Sequence, residues 1–243
     1  SMTFFWTFLV FLVTQIALFI FAFMYKKNEK RKALFFSHNN SLEMIWTIVP
    51  TIVLTFLVIK AYIAWDQIMF DETEDVTIEV TAKQFGWMIR YPGMDGKFGE
   101  KQFRLTDDAN NELGINFEDQ ASRDDLMITD TLMLPKGKRV KVNLKSRDVL
   151  HSFYLPHFRV KMDCVPGTPT VFRFTPTHTT KEYRADVVNT EEFDFELACA
   201  EICGSSHYGM GKAVKVVTWK EYQAWIKRKT EENSTYYSIY SSN

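Results

Sequence analysis

The segment Cys199-Ala-Glu-Ile-Cys203-Gly-Ser-Ser-His207-Tyr-Gly-Met210 decides the fold of this 243-residue chain. It places two thiols, an imidazole and a thioether close together in sequence. Soft sulfur combined with imidazole selects copper or zinc over hard cations. A thioether is an unusual zinc ligand, but it is the weak axial ligand of electron-transfer copper sites, which are built on β-sandwiches. The segment therefore predicts a copper site on a β domain.

Electron-transfer copper sites also need a histidine from far upstream, and His151 fits because it immediately precedes a predicted strand. A mononuclear site uses one cysteine, so Cys199 and Cys203 leave one in surplus. Two thiolates can each bridge two metal ions, which points to a binuclear copper centre. A disulfide between these two cysteines, or a structural zinc site with two Cys and two His, are the alternatives. Cys164 has no partner at useful spacing and is predicted to be a buried small side chain.

The sequence upstream of this segment has the pattern of a β domain. Residues 76–82 alternate strictly, and residues 85–91 continue with aromatic and β-branched side chains. Further short strands are predicted at residues 132–134, 139–144, 152–155, 170–174, 182–186 and 213–217. Short strands at such close spacing predict an antiparallel sandwich or barrel.

Two other segments accompany these strands, one between them and one after the last of them. Residues 94–125 are polar and rich in Asp and Asn, so we interpret them as an insertion outside the core. Thr218 with Glu221 three residues later forms a capping-box pattern, which predicts a helix through about Thr230. We expect residues 231–243 to form a frayed C-terminal tail.

The N-terminal part has the pattern of a transmembrane hairpin. Two apolar runs, at about residues 4–25 and 44–65, are each long enough for the roughly 30 Å hydrocarbon core of a lipid bilayer. Pro50 and Lys60 in the second run are tolerated there, the lysine because it lies near the end. Two buried core helices are the alternative, although the first run has no polar face. A signal peptide fits worse, because no basic segment precedes the run.

Charge placement orients the hairpin. Residues 26–42 form a basic loop with Lys26, Lys27, Lys30, Arg31 and Lys32, so we expect this loop to be cytoplasmic and everything after Trp65 to be extracytoplasmic. The acidic run Asp71, Glu72, Glu74 and Asp75 agrees with that side. The net charge of the chain is −1, which gives no reason to expect nucleic acid as a partner. Ser1 lies almost inside the first helix, so we expect the natural protein to have a segment before it.

Taken together, these segments resemble those of a known family, the cytochrome c oxidase subunit II proteins with a dinuclear CuA site. The residues that carry the resemblance are 199–210, His151-Ser-Phe-Tyr, Lys161-Met-Asp-Cys-Val-Pro-Gly167, Glu43-Met-Ile-Trp-Thr-Ile-Val-Pro50 and Gln84-Phe-Gly-Trp87. The resemblance implies a membrane-anchored, all-β fold: a two-helix transmembrane hairpin (1–66), a cupredoxin-like antiparallel β-sandwich with a C-terminal helix (67–230), and a tail (231–243).

The resemblance also implies the site. Its copper ligands would be His151, Cys199, the backbone carbonyl of Glu201, Cys203, His207 and Met210. The Glu201 side chain would bind magnesium at the contact with subunit I. Glu43 would lie at the mouth of a proton path into that subunit. No oxygen-reducing site is expected in this chain itself.

The implied function is electron relay from cytochrome c through dicopper to the haem of subunit I, where oxygen is reduced to water and protons are pumped. The implied location is the bacterial inner membrane, with the copper domain on the periplasmic side and other oxidase subunits as partners. Alternatives from other classes are the CuA protein of another respiratory reductase, such as nitrous oxide reductase, and a membrane-anchored copper carrier. A quinol oxidase subunit would lack the copper ligands.

Three departures from the family pattern concern the electron donor. Phe85 replaces the tryptophan through which electrons enter in many members, which leaves Trp87 and Tyr91 as further candidates. The 94–125 insertion is longer than in the mitochondrial form and resembles that of some bacterial oxidases. No Cys-x-x-Cys-His motif occurs, so we expect the donor haem to be on another polypeptide, either a free cytochrome c or a tethered or complex-bound domain.

Overall fold

A computed structural model describes residues 2–30, 32, 35–70, 73–188 and 190–240, with the backbone alone at 188 and 234–240. It separates into two compact units, Ser1–Trp65 and Asp66–Asn243. Three charged residues of the sequence prediction, Arg31 of the basic loop and Asp71 and Glu72 of the acidic run, lie outside the described residues.

The first unit consists of two long apolar helices, α1 (Met2–Met24) and α2, which begins at Asn40 and ends at Met69. Both are long and apolar enough to cross a membrane, and neither buries a residue inside the protein. Threonine hydroxyls at the centre of each helix donate within the helix, Thr14 Oγ1 to Val10 O and Thr51 Oγ1 to Thr47 O. The two predicted spans are confirmed as helices, and α2 is longer than its apolar run at both ends.

The second unit is a sandwich of two five-stranded sheets. Its strands are β1 (Val76–Lys83), β2 (Gly86–Tyr91), β3 (Leu126–Ile128), β4 (Thr131–Pro135), β5 (Val140–Ser146), β6 (His151–Leu155), β7 (Val160–Cys164), β8 (Thr170–Phe174), β9 (Phe195–Cys199) and β10 (Lys212–Val217). One sheet has the order β3-β2-β1-β5-β8 and the other β4-β10-β9-β6-β7. The alternation predicted for β1 is explained by this packing, because Ile78, Val80 and Ala82 are fully buried in the core between the sheets.

The predicted sandwich is confirmed, but its pairing is not wholly antiparallel. β1 pairs with β5 in parallel, and β4 pairs with β10 in parallel, one such pair in each sheet. Parallel neighbours need a long crossover between them. The chain provides one in each case, since three strands of the sandwich separate β1 from β5 along the sequence and five separate β4 from β10.

The predicted strand at residues 182–186 is wrong. Thr179 Oγ1 accepts the Glu182 N–H at 3.1 Å, and the Glu182 carboxylate accepts the Thr179 N–H at 2.8 Å. This capping box begins the short helix α3 (Thr180–Tyr183), which continues into a π-helical turn, Arg184–Val188. The strands β3, β7 and β9 were not predicted: β3 is only three residues long, and exposed charged residues interrupt the apolar ones in β7 and β9.

The terminal helix, α4 (Trp219–Tyr240), packs on the sandwich through Tyr222, Trp225 and Ile226. Its predicted capping box is present, because Thr218 N–H donates to Glu221 Oε2 at 2.9 Å and Glu221 N–H donates back to Thr218 Oγ1. The helix ends ten residues later than the sequence pattern indicated, so it includes most of the predicted tail.

The insertion, residues 94–125, covers the polar face of β1 and β2. It has two 3-10 turns, Phe103–Leu105 and Gln120–Ser122, and no strand of either sheet. Arg90 of β2 is buried beneath it and pairs with Glu79 of β1 and with Asp125. A buried charge is costly unless it is paired, so this ionic contact joins the insertion firmly to the sheet.

Glu79 is the centre of that charge network. Its carboxylate contacts Lys101 Nζ at 2.7 Å and Lys145 Nζ at 2.8 Å, and its side chain is 8% exposed. Burial alone would raise its pKa, but the two lysines outweigh burial and lower the pKa from 4.5 to about 2. The ionised carboxylate therefore stabilises the folded state at pH values above 4.5, and this stabilisation is lost as the pH falls from 4.5 towards 2.

We predict that Glu79→Gln lowers the free energy of unfolding at neutral pH by about 3 kcal/mol, from the size of the pKa shift. The variant should also lose the part of the stability decline that occurs between pH 4.5 and 2. Denaturant unfolding at several pH values measures both effects. Glu118→Gln, at an exposed position of the insertion, is the matched control and should match the unaltered chain. Equal pH profiles for Glu79→Gln and the unaltered chain would refute the assignment.

Candidate metal centre

The predicted ligand segment forms a loop between two neighbouring antiparallel strands. Cys199 is the last residue of β9, and β10 begins at Lys212. We call residues 199–210 the copper loop. Its end folds into a 3-10 turn, His207–Met210, which brings Met210 back into the buried core.

The loop gathers its sulfur and nitrogen atoms around Cys203. Cys203 Sγ lies 3.9 Å from Cys199 Sγ, 3.6 Å from His207 Nδ1 and 3.3 Å from Met210 Sδ. The backbone carbonyl of Glu201 lies 3.2 Å from Cys199 Sγ. Five of the six predicted ligands are therefore brought together by the loop itself.

The sixth predicted ligand, His151, comes from strand β6. This strand pairs with β9, with Phe153 opposite Cys199, and the pairing carries the His151 side chain to the start of the loop. His151 is fully buried, and its Nδ1 lies 3.9 Å from Cys199 Sγ. His151 Nδ1, Cys199 Sγ and Cys203 Sγ all lie within 4.8 Å of one another, close enough to hold a metal ion.

Asp148 sets the orientation of the His151 ring. Its Oδ1 lies 2.8 Å from His151 Nε2. An ionised carboxylate only accepts hydrogen bonds, so Nε2 carries the proton and donates it, which leaves Nδ1 free to face the sulfur atoms. A carboxylate behind a ligating histidine is a common arrangement in metal sites. Partial burial raises the pKa of Asp148, but hydrogen bonds from Gln84, His151 and Val149 outweigh it and lower the pKa.

The donor set fits copper. It offers two thiol sulfurs, two imidazole nitrogens and a thioether, which are soft or intermediate ligands. Burial, followed by the neighbouring Cys199, raises the pKa of Cys203 to about 11, so this thiol resists ionisation unless a cation replaces its proton. Cys164, the third cysteine, is fully buried opposite His151 in the β6–β7 pairing, in agreement with its predicted packing role.

A layer of residues that the sequence did not assign as ligands supports the loop from β1 and β2. The Gln84 side-chain amide donates to the carbonyl of Cys203, and the Trp87 Nε1–H donates to the carbonyl of Met210 at 2.8 Å. The Trp87 ring also packs edge-on against His151, with 6.4 Å between ring centroids. Gln84 and Trp87 belong to the Gln-Phe-Gly-Trp motif, and that motif is the sequence feature from which their supporting role could have been predicted.

The three aromatic candidates for electron transfer occupy different places. Trp87 is 1% exposed and contacts the site from inside, whereas Tyr91 is fully buried and packs against Trp225 of α4. Phe85 is 38% exposed and lies on the copper loop at Gly204. Gly204 has φ +137°, and a Cβ there would approach Phe85 Cζ to 2.9 Å, so glycine is required for this contact.

The predicted proton-path residue, Glu43, belongs to the first unit and lies in the first turn of α2. Its Oε1 accepts the N–H of Asn39 at 3.3 Å, while Asn39 Oδ1 accepts the N–H of Leu42 at 3.1 Å. The structure therefore gives Glu43 a helix-capping contact as well.

Comparisons with known proteins cover both units. The family described as "Cytochrome C oxidase subunit II, periplasmic domain" matches residues 76–217, and "Cytochrome C oxidase subunit II, transmembrane domain" matches residues 1–62. The chain is 33% identical over 221 residues to the alternative cytochrome c oxidase subunit 2 of Bradyrhizobium diazoefficiens, covering 90% of this chain and 75% of the relative. It is 34% identical over 229 residues to cytochrome c oxidase subunit 2 of Cereibacter sphaeroides, covering 88% and 69%.

Among solved structures, the periplasmic domain of cytochrome oxidase subunit II from Bradyrhizobium japonicum aligns with a TM-score of 0.45 and 28% sequence identity. The alignment covers 66% of this chain and 96% of that domain.

Proposed function

Because the chain belongs to the cytochrome c oxidase subunit II family, we propose that it accepts electrons from cytochrome c at a dinuclear copper site and passes them to the haem of subunit I. The complex is an oxidoreductase, and this chain is its membrane-anchored, copper-binding subunit. The oxygen reduction and the proton pumping belong to the assembled complex.

The two-copper proposal rests on how the ligand atoms are arranged in space. Two sulfur atoms, 3.9 Å apart, each have a different imidazole Nδ1 beside them: His151 beside Cys199 and His207 beside Cys203. One thiolate with two imidazoles would serve a single ion, whereas two thiolates can be shared by two ions. The Met210 thioether and the Glu201 carbonyl complete the set.

Copper supplies one-electron redox chemistry when it is bound. The residues of this chain hold the ligands still and exclude water. His151 and Met210 are fully buried, and Cys203 is 4% exposed. A rigid, dry ligand frame limits the rearrangement that accompanies electron transfer, which is the contribution that a protein makes to its cofactor.

Two further assignments rest on the resemblance, and a third, the route of electron entry, rests on side-chain exposure because the family's tryptophan is absent. Magnesium would bind the exposed side chain of Glu201 at the contact with subunit I. Among the candidates Phe85, Trp87 and Tyr91, electrons would enter through Phe85, because it is 38% exposed whereas the other two are buried. The hairpin, about residues 1–66, would span the bacterial inner membrane, with the domain at about 67–230 on the periplasmic side. Both relatives described above come from bacteria, which supports that location.

The test of the proposed function is metal loading of the purified chain in detergent. We expect two copper ions per chain and the absorption of a mixed-valence dicopper centre. Binding of one copper ion per chain would refute the dinuclear proposal. So would a preference for zinc over copper that leaves the protein colourless.

The surface charges around the site predict how the electron donor is captured. Asp148 is the acid that contacts the ligand His151, but it is only 31% exposed, its oxygens are occupied by Gln84 and His151, and Arg147 precedes it in the sequence. Electrostatic steering needs an uncompensated charge and acts mainly on the association rate. We therefore propose that the natural donor is a tethered or complex-bound cytochrome c domain.

We predict that turnover of the purified oxidase with a soluble basic cytochrome c changes by less than about threefold between 0.01 and 0.15 M ionic strength, where the screening length falls from roughly 30 to 8 Å. Steady-state oxygen consumption measures this change. Fast turnover at low salt that falls by an order of magnitude as salt rises would show capture by charge and contradict the tethered donor.

A further inference from the structure

The insertion contacts the two chain segments that position the copper ligands. Glu112, within the insertion, accepts two hydrogen bonds from Lys83 Nζ, the longer at 2.7 Å, and a third from Arg147 Nη1 at 3.2 Å. The side chains of Lys83, Glu112 and Arg147 are 33%, 28% and 25% exposed, so this three-residue ion network is largely covered. One carboxylate thus joins the end of β1 to the loop that follows β5.

Each cation in this network is one residue away from a group that supports the site. Lys83 precedes Gln84, whose side chain donates to the Cys203 carbonyl. Arg147 precedes Asp148, whose carboxylate orients His151. The two segments also meet directly, because Gln84 N–H donates to Asp148 Oδ2 at 2.6 Å.

We propose that Glu112 is a positioning residue for the copper site, which holds the Gln84 and Asp148 segments together so that Cys203 and His151 keep their relative placement. If the Glu112 carboxylate is removed, less negative charge offsets the two neighbouring cations, Lys83 and Arg147. Their repulsion would separate the segments and loosen the Gln84–Asp148 hydrogen bond. The insertion thereby acts on the metal centre without contributing a ligand.

Asp108 provides a matched comparison within the same insertion. Among the residues that the structure describes, its ion-pair partner is Arg147, and its side chain is 91% exposed. Asp108→Asn removes the same charge from the same neighbourhood but leaves the link between Lys83 and Arg147 intact. The pair of variants therefore separates positioning from a general change in the electric field.

The first measurement is amide hydrogen exchange at Gln84 in the copper-free chain, which does not depend on the proposed function. Glu112→Gln should accelerate exchange at Gln84 by about tenfold or more, and Asp108→Asn should change it by less than about twofold. The amide of Ile89, at the centre of β2, should stay protected in both variants and report that the domain is folded. Unchanged exchange at Gln84 in folded Glu112→Gln would overturn the proposal.

The second measurement uses the copper-loaded chain, and this part rests on the proposed function. Glu112→Gln should shift both the copper absorption bands and the reduction potential, whereas Asp108→Asn should leave the bands in place. If Glu112→Gln does not fold, Lys83→Met breaks the same link without leaving two uncompensated cations; it carries both measurements as a test of the link alone, and unchanged exchange at Gln84 in this variant would overturn the proposal. Equal band shifts in the Glu112 and Asp108 variants would overturn positioning in favour of a field effect. If the unaltered chain fails to load copper while Glu112→Gln still accelerates Gln84 exchange, that result counts against the proposed function alone.

Discussion

Cys203→Ser is expected to abolish the dicopper absorption and to reduce oxidase turnover by about a hundredfold or more, which corresponds to at least ~2.7 kcal/mol in the activation barrier. Cys203 Sγ is the atom on which the site converges, with Cys199, His207 and Met210 all between 3.3 and 3.9 Å from it. A hydroxyl is a hard, weakly acidic ligand and does not replace a bridging thiolate on copper. Cys199→Ser is expected to have the same effect.

Two variants serve as controls for this result. Cys164→Ala removes the third thiol, which is buried behind His151, and should retain the dicopper spectrum. Met210→Leu should keep both copper ions and shift their potential, because the thioether is a weak ligand. Copper content, absorption and oxygen consumption are measured on the same preparations. A normal dicopper spectrum in either serine variant would eliminate the bridging assignment.

Glu43→Gln is expected to slow oxidase turnover by about tenfold or more while copper reduction by the donor stays normal, if this residue serves proton uptake as the family resemblance implies. The structure provides the competing explanation, since Glu43 accepts the Asn39 N–H at the start of α2. The glutamine side chain keeps an oxygen acceptor for that hydrogen bond but has no proton to exchange. The substitution therefore separates capping from proton transfer.

Glu43→Ala and Glu29→Gln complete the experiment. A proton-uptake role predicts equal slowing in Glu43→Gln and Glu43→Ala, whereas a capping role predicts that the glutamine variant is normal and only the alanine variant is impaired. Glu29→Gln changes another exposed carboxylate, in the connection between the two helices, and should be silent. Stopped-flow reduction of copper, measured beside steady-state turnover, distinguishes slow proton uptake from failed assembly.

Features that depend on short stretches of chain were predictable from the sequence. The two membrane helices were visible because each is a long, almost uncharged apolar run, which a helix needs in order to cross the hydrocarbon core. The copper loop was visible because five of its ligands lie within residues 199–210 and local backbone turns suffice to bring them together. The Thr218–Glu221 cap was recognised for the same reason. The equivalent cap at Thr179 was missed because the residues after it alternate like a strand.

Features that depend on contacts between distant segments were decided only by the tertiary structure. The parallel pairing of β1 with β5 arises from which strands share the core, and alternation within a strand carries no information about its neighbours. The hydrogen bond from Gln84 to Cys203 joins residues that are 119 positions apart and lie in loops of different sheets, so it depends on how the two sheets pack together. In the sequence, nothing distinguishes Glu112 from the other acidic residues of the insertion. Only the fold places it between Lys83 and Arg147. Five of the six ligands thus lie close together in sequence, whereas His151 and the residues that hold the loop in place became their neighbours through burial of the core.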